Sequence, residues 1–261
     1  MNISLNLDTK PGHTDHHAVV TGADRGLGLA MTQGLLARGW RVFAGSYLPD
    51  WPQLGDLREQ YPDLLVILPL DVSSDASVLA AAAAVEERTR SIDLLINNAG
   101  VISERSEDSI RISQDYEEMT RLYQVNALGP IRVSEAFLPL LERSELRRLC
   151  YVSSEAGSIG KAERTAWFGY CMSKAALNRG VRMLFDRLRP DGYTFRLYHP
   201  GWLRTYMSGT RNEEAELEPE ESAAPALEYF LGSTLPWDDQ PHAVDEDRLV
   251  MRDYQGREWP W

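Results

Sequence analysis

Thr21 to Gly28 reads TGADRGLG, and what flanks it decides the fold. Ahead of it HAVV, from His17, is a short β-rich run. Behind it GLGLAMTQGLLARG, Gly26 to Gly39, repeats apolar residues at helical spacing through Leu27, Met31 and Leu35. Gly22, Gly26 and Gly28 therefore stand at a strand-to-helix junction. Glycines there permit a tight turn and let the backbone approach a pyrophosphate, whose charge the helix N-terminus favours. The spacing is GxxxGxG and not GxGxxG, and the same glycines would equally serve a turn that only packs the helix on the strand.

The alternation continues outward. RVFAGSY (Arg41 to Tyr47), LLVILPL (Leu64 to Leu70), IDLLIN (Ile92 to Asn97), RLCYVSS (Arg148 to Ser154) and TFRLYH (Thr194 to His199) read as further strands. Helical segments lie between them, one of them Ala-rich around Ala80 to Val85. Strands apolar on both faces that alternate with helices predict an α/β doubly wound fold, a parallel sheet covered on both sides. No linker interrupts the series. The expectation is an N-terminal tail over 1–16 and one domain over 17–261. From Gly201 to about Asp247 the chain turns acidic and proline-dotted, with NEEAELEPEES at 212–222, before LVMRDY offers a last strand.

Composition narrows the function. The 261 residues carry a net charge of −12, so a phosphate backbone would be repelled over most of the surface and nucleic acid is not an expected partner. No apolar run reaches transmembrane length, and the N-terminus lacks the pattern of a secretory signal, so the expected location is cytoplasmic, with no membrane partner. The two cysteines, Cys150 and Cys171, show no disulfide or zinc spacing. His13, His16 and His17 precede or open the first strand and read as part of a tail, so no metal is expected.

Several polar residues fall where open α/β sheets bind ligands, at the carboxyl ends of strands. Asp71 and Val72 follow the third strand, and Asn98, Ala99 and Gly100 of NNAG follow the fourth. An aspartate there can accept from an adenine amine, and small residues let a flat cofactor lie on the backbone. YCMSK puts Tyr170 and Lys174 four residues apart, on one helical face with Leu177, Val181, Leu184 and Leu188, so the pair points inward. A nearby ammonium favours an ionised phenol. Asn126 shares the apolar side of its helix with Met119, Leu122, Phe137 and Leu141. Pro130, four residues on, has no N–H for the Asn126 carbonyl, which predicts a kink that either holds a water or serves packing alone.

In this order, TGADRGLG, the DV at Asp71, NNAG, Asn126, YVSSEAG, YCMSK and HPGWLRT resemble the short-chain dehydrogenase/reductase family, and GREWPW is similar to the tail of its small bacterial carbonyl-reductase-like members. The resemblance spans Thr21 to Thr205 and implies a single-domain Rossmann fold. It implies hydride transfer between a nicotinamide dinucleotide and a small carbonyl or alcohol. Tyr170 would be the general acid or base, its pKa lowered by Lys174 and the oxidised ring. Ser154 would bond the substrate oxygen, Lys174 the nicotinamide ribose, and Asn126 would hold a relay water. Cofactor contacts are implied for Gly22, Asp24, Arg25, Gly26, Leu27, Gly28, Ser46, Asp71, Val72, Asn98, Ala99, Gly100, Tyr170, Lys174, Pro200, Gly201, Leu203 and Thr205. The segment of about 202–247 would close over substrate, with Trp167, Phe168, Trp202 and Tyr206 suggesting an apolar or aromatic one. The helices around Gln114 to Arg143 and Thr165 to Leu188 would pair subunits into a homodimer or homotetramer.

NADP(H) is favoured and NAD(H) remains possible. The second strand ends in Ser46 and Tyr47, with no carboxylate to bind a ribose or repel a 2′-phosphate, and Arg25 is placed to pair with that phosphate. The alternative to an enzyme is a dinucleotide-binding sensor or scaffold on the same fold, and a third reading is an isomerase or dehydratase. A sensor would be free to lose Asn126, Ser154, Tyr170 or Lys174, and all four are present.

Overall fold

The computed structural model describes residues 16–48, 51–103, 105, 109–161, 163–232 and 247–261. Within them β1 (His17–Val20), β2 (Arg41–Ser46), β3 (Leu65–Pro69), β4 (Leu94–Asn97), β5 (Arg148–Val152), β6 (Thr194–His199), β7 (Met251–Asp253) and β8 (Glu258–Trp259) form one sheet. Its order is β3-β2-β1-β4-β5-β6-β7-β8, parallel except for the last pair. The order reverses between β1 and β4, which opens a crevice at the carboxyl ends of those two strands.

Alternate residues of the same strands supply two cores. Val19, Phe43, Leu95, Leu149 and Leu197 face one side, under α3 (Asp75–Glu86), α5 (Gly129–Leu141) and α6 (Phe168–Leu188). Ala18, Val42, Leu94, Ile96, Cys150 and Tyr198 face the other, under α1 (Gly26–Ala37), α2 (Pro52–Gln60) and α7 (Pro219–Leu231). Side chains alternate across a strand, so a sheet covered on both faces needs apolar residues at nearly every position. Two arginines break that rule. Arg148 and Arg196 are buried, and their guanidinium groups donate to the carbonyls of Tyr229, Phe230 and Gly232, which caps the C-terminal end of α7.

Three features depart from the sequence pattern or sharpen it. The helix expected around Gln114 to Arg143 is α4 (Tyr116–Tyr123), one π turn (Gln124–Leu128) and α5. The π turn lets the chain pass Pro130, which has no N–H to give Asn126. The tail adds β8, antiparallel to β7, on a turn in which the buried Asp253 carboxylate accepts from the N–H groups of Gln255 and Arg257 and from the Trp259 indole. The acidic segment is anchored as well. Leu203 bridges Leu217, and Glu218 caps α7 in a reciprocal capping box while pairing with Arg204 and Arg211. Residues 1–15, His13 included, and 233–246 of the 202–247 segment lie outside the described residues. His16 stacks on Trp40 and pairs with Asp93.

Candidate active site

Between β1 and α1 the backbone is bare. Gly22 has φ +61°, and a Cβ there would stand 2.9 Å from the Ala99 Cα; a Cβ on Gly28 would stand 2.1 Å from the Gly22 carbonyl oxygen. The end of β4 braces this loop. Thr21 Oγ1 accepts from the N–H groups of Asn98 and Ala99 at 3.0 Å, and the Asn98 amide donates to the carbonyls of Thr21 at 2.9 Å and Gly22 at 3.1 Å. Asp24 accepts from the Tyr47 N–H at 3.1 Å, which ties the loop to the end of β2, where Ser46 is buried. Asn98 and Asp24 thus shape the loop through bonds to the protein itself. The Arg25 guanidinium lies 5.1 Å over Trp51, whose edge meets Tyr206 at 5.1 Å.

The remaining sequence candidates follow β3 and β6 or open α1. One Asp71 oxygen accepts from the N–H and hydroxyl of Ser73, and Val72 is buried under Gly129. The loop after β6 turns at Gly201, with φ +82°, and Thr205 closes on Gly26, where an added Cβ would meet its methyl at 3.2 Å. Pro200 accepts from Ser222 at 2.8 Å, and Leu203 is held through its bridge to Leu217. Leu27 is buried in the first turn of α1. A cradle whose walls leave no room for a Cβ and whose floor opens a helix N-terminus fits a dinucleotide pyrophosphate.

Across the crevice, α6 begins at Trp167, which holds the left-handed conformation at φ 65° and ψ 33°. It turns Tyr170 and Lys174 inward, with the Lys174 ammonium 5.8 Å from the phenol ring centre. Lys174 is 3% exposed and donates to the Val152 carbonyl at 3.1 Å; burial pushes its pKa down to about 8. The expected lowering of the Tyr170 pKa by Lys174 is not what this environment produces. Burial pushes the phenol up, the Glu155 carboxylate adds to it, and a hydrogen bond with Ser154 and the Arg164 charge oppose it.

Asn126 is fully buried and clamps the NNAG loop to α6. Its Oδ1 accepts from the Val101 N–H at 2.8 Å, and its Nδ2 donates to the Val101 carbonyl at 2.8 Å and to Ser173 Oγ at 3.0 Å. Gly100 lies against both Asn126 and Lys174. Ser153 turns away and donates to Asn178 at 2.6 Å, whereas Ser154 faces Tyr170 and donates to Glu155 Oε2 at 2.6 Å. Another buried tyrosine–serine contact, Tyr151 with Ser134 at 2.8 Å, is enclosed in the core. Sequence reasoning passed over Thr21, Glu155 and Arg164. For Glu155 the signal was its place directly after Ser154.

Residues 16–216 match the model of the short chain dehydrogenase family. The chain belongs to this family. Among relatives of the dehydrogenase, the C-signal protein of Myxococcus xanthus is 38% identical over 66% of this chain and 95% of its own, and human retinol dehydrogenase 16 is 31% identical over 92% and 73%. The crystal structure of NADPH-bound carbonyl reductase from chicken fatty liver superposes with a TM-score of 0.80 at 32% identity, covering 94% of this chain and 99% of the other. The dehydrogenase is an NAD(P)(H)-dependent oxidoreductase that moves a hydride between the nicotinamide and a small carbonyl or alcohol. Among its described residues no helix is long and apolar enough to cross a membrane, and no group of three or more His, Cys, Asp or Glu is arranged for a metal.

Proposed function

We propose that this dehydrogenase is an NADP(H)-linked carbonyl reductase in which Tyr170 is the general acid or base. The observation that carries the reading is the inward pair Tyr170 and Lys174 beside Ser154, across the crevice from the glycine loop. Gly22, Arg25, Gly26, Leu27 and Gly28 would hold the pyrophosphate and the adenosine end, on a loop braced by Asp24 and Asn98. Ser46, Asp71 and Val72 would line the adenosine end, and Ala99, Gly100, Pro200, Gly201, Leu203 and Thr205 the nicotinamide end. A bound nicotinamide supplies or accepts the hydride. Tyr170 holds a proton on its hydroxyl, which burial favours, and delivers it to the substrate oxygen. Ser154 bonds that oxygen, Lys174 binds the ribose, and the Asn126 carbonyl at the π turn seats a water that connects Lys174 to solvent.

NADP(H) over NAD(H) is supported by the absence of a carboxylate at Ser46, by Arg25, and by structural relatives from chicken fatty liver and Burkholderia multivorans described with NADPH or NADP bound. Exposed Tyr116 on α4 and Met172 and Met183 on α6 support pairing through those helices into a homodimer or homotetramer. A monomer mass by light scattering at micromolar protein would reject the assembly. Two free thiols, Cys150 and Cys171, suit a reducing cytoplasm. The test of function is an NADPH- and NADH-linked screen over ketones and aldehydes, p-nitrobenzaldehyde among them. Tyr170→Phe should lose at least about a hundredfold in kcat while still binding NADPH. Activity within tenfold of the parent would remove Tyr170 from the mechanism.

A further inference from the structure

Arg25 is the sole cation between Thr21 and Gly28, after β1, and between Ser46 and Gln53, after β2. It stands just ahead of α1, and its neighbour Asp24 is tied to the end of β2 through the Tyr47 N–H. No described residue takes a hydrogen bond or an ion pair from its guanidinium, so the N–H donors are open to a ligand. A long side chain that must be ordered by its ligand loses affinity to that ordering. What holds this one is a ring: the guanidinium carbon lies 5.1 Å from the centre of Trp51, over its face, within the reach of a cation–π contact. We propose that Trp51 is a positioning residue for cofactor choice, holding Arg25 where the 2′-phosphate of NADP(H) arrives. This rests on the reading of Arg25 as the partner of that phosphate.

The ring is fixed by contacts that do not involve Arg25. Trp51 caps the N-terminus of α2 with extended backbone, its N–H donates to the Leu48 carbonyl at 3.2 Å, and Pro52 follows it as the first helical residue. Its indole Nε1 donates to Gln53 Oε1 at 2.9 Å. Its edge meets Tyr206 at 5.1 Å, on the loop after β6 whose Thr205 packs against Gly26. Two separate segments therefore set the plane that Arg25 lies over. The kind of support matters as well. A carboxylate would also order the arginine, but it would occupy the donors that a phosphate needs. A cation–π contact draws on the charge and leaves the N–H donors to the phosphate. NAD(H) has no 2′-phosphate and gains nothing from the arrangement.

The test is the Kd of the full chain for NADPH and for NADH, measured by titration calorimetry with no carbonyl substrate present. Trp51→Leu should weaken NADPH about fivefold and leave NADH within about twofold. Trp51→Phe restores a ring face and should hold NADPH within about twofold of the parent. In an Arg25→Ala background Trp51→Leu should cost NADPH nothing further, because the ring then has no arginine to hold. Equal losses for the two dinucleotides in Trp51→Leu overturn the proposal, since a ring that stacked on adenine or only supported the fold would serve both alike. A loss that adds in full to that of Arg25→Ala overturns it too. If Trp51→Leu does not fold, a ring-fluorinated tryptophan at position 51 keeps the shape and weakens the negative face. NADPH should then bind about threefold more weakly with NADH unchanged, and an unchanged NADPH Kd overturns the proposal. Arg25→Ala alone separates the two readings. Equal losses there remove Arg25 from the phosphate and the proposal with it, whereas a selective loss there with none in Trp51→Leu removes Trp51 alone.

Discussion

Replacing Lys174 by Met should destroy turnover and stabilise the cofactor-free protein at neutral pH. Met keeps the apolar stem and deletes the charge. Burial lowers the lysine pKa from 10.5 in the unfolded chain to about 8 in the folded one. Two and a half units at about 1.4 kcal/mol each put the cost of keeping the buried ammonium at about 3.5 kcal/mol at most. The variant also strands the Val152 carbonyl, which now accepts from Nζ at 3.1 Å, and that costs about 1 kcal/mol. The cost of burial is the larger, leaving about 2.5 kcal/mol in favour of Met, or roughly 5–10 °C in Tm for a chain of this size. The pH dependence carries a sign. Below about pH 8 both folded and unfolded chains hold the proton, and the penalty is complete and flat. Between about 8 and 10.5 the unfolded chain binds the proton that the folded one has released, so the parent gains stability as pH rises through that window. Scanning calorimetry of both proteins from about pH 6.5 to 10 should show the gap closing above 8. If Lys174→Met melts below the parent at neutral pH, or the gap is constant across the window, the lysine is not held against a burial cost and the reasoning fails.

Gly28→Ala should abolish NADPH binding and lower Tm, because its Cβ would fall 2.1 Å from a backbone oxygen that has no room to retreat; unchanged NADPH fluorescence enhancement would refute the cradle. Arg25→Ala should weaken NADPH by about tenfold and leave NADH within about twofold, since only the 2′-phosphate loses a charged partner; equal losses for both would assign Arg25 to the pyrophosphate or to its contact with Trp51.

Most of the sheet was legible because a strand buried on two faces cannot hide: HAVV, RVFAGS, LLIN and RLCYV are runs with almost no polar position. The glycine loop, NNAG and the Tyr170–Lys174 pair were legible for a related reason, since each sits at a strand end or on an apolar helical stripe that fixes where it points. What escaped had no periodicity to carry it. β8 is two residues long. Pro130 announced a kink but not that the helix would take it as a π turn, because the choice depends on how Asn126 is clamped to Val101 and Ser173. Arg148 and Arg196 look like misfits in apolar strands until α7 brings its last carbonyls to them. The acidic run from Glu213 reads as a solvated face or a closing lid, yet Glu218 within it is tied by Arg204 and Arg211, a contact between loop residues up to 14 positions apart.

One departure from local rules lies beside Tyr170, and it shares its supports with the site. Trp167 holds a left-handed conformation that costs a non-glycine residue about 1 kcal/mol or more, and it does so three residues before Tyr170. Its ring is covered by the Arg164 guanidinium at 4.2 Å and meets the Tyr170 ring edge-on at 5.9 Å. Arg164 is also the residue that pins Glu155 beside Ser154. One side chain therefore fixes both ends of the segment between Ser154 and Tyr170. A free loop there would loosen the serine from the phenol. Here the arginine converts it into a closed brace: stacking sets the entry of α6, and the ion pair sets the serine hydroxyl. A strained residue persists only where its surroundings over-determine it, and Trp167 meets that condition through the same contacts that align Ser154 with Tyr170.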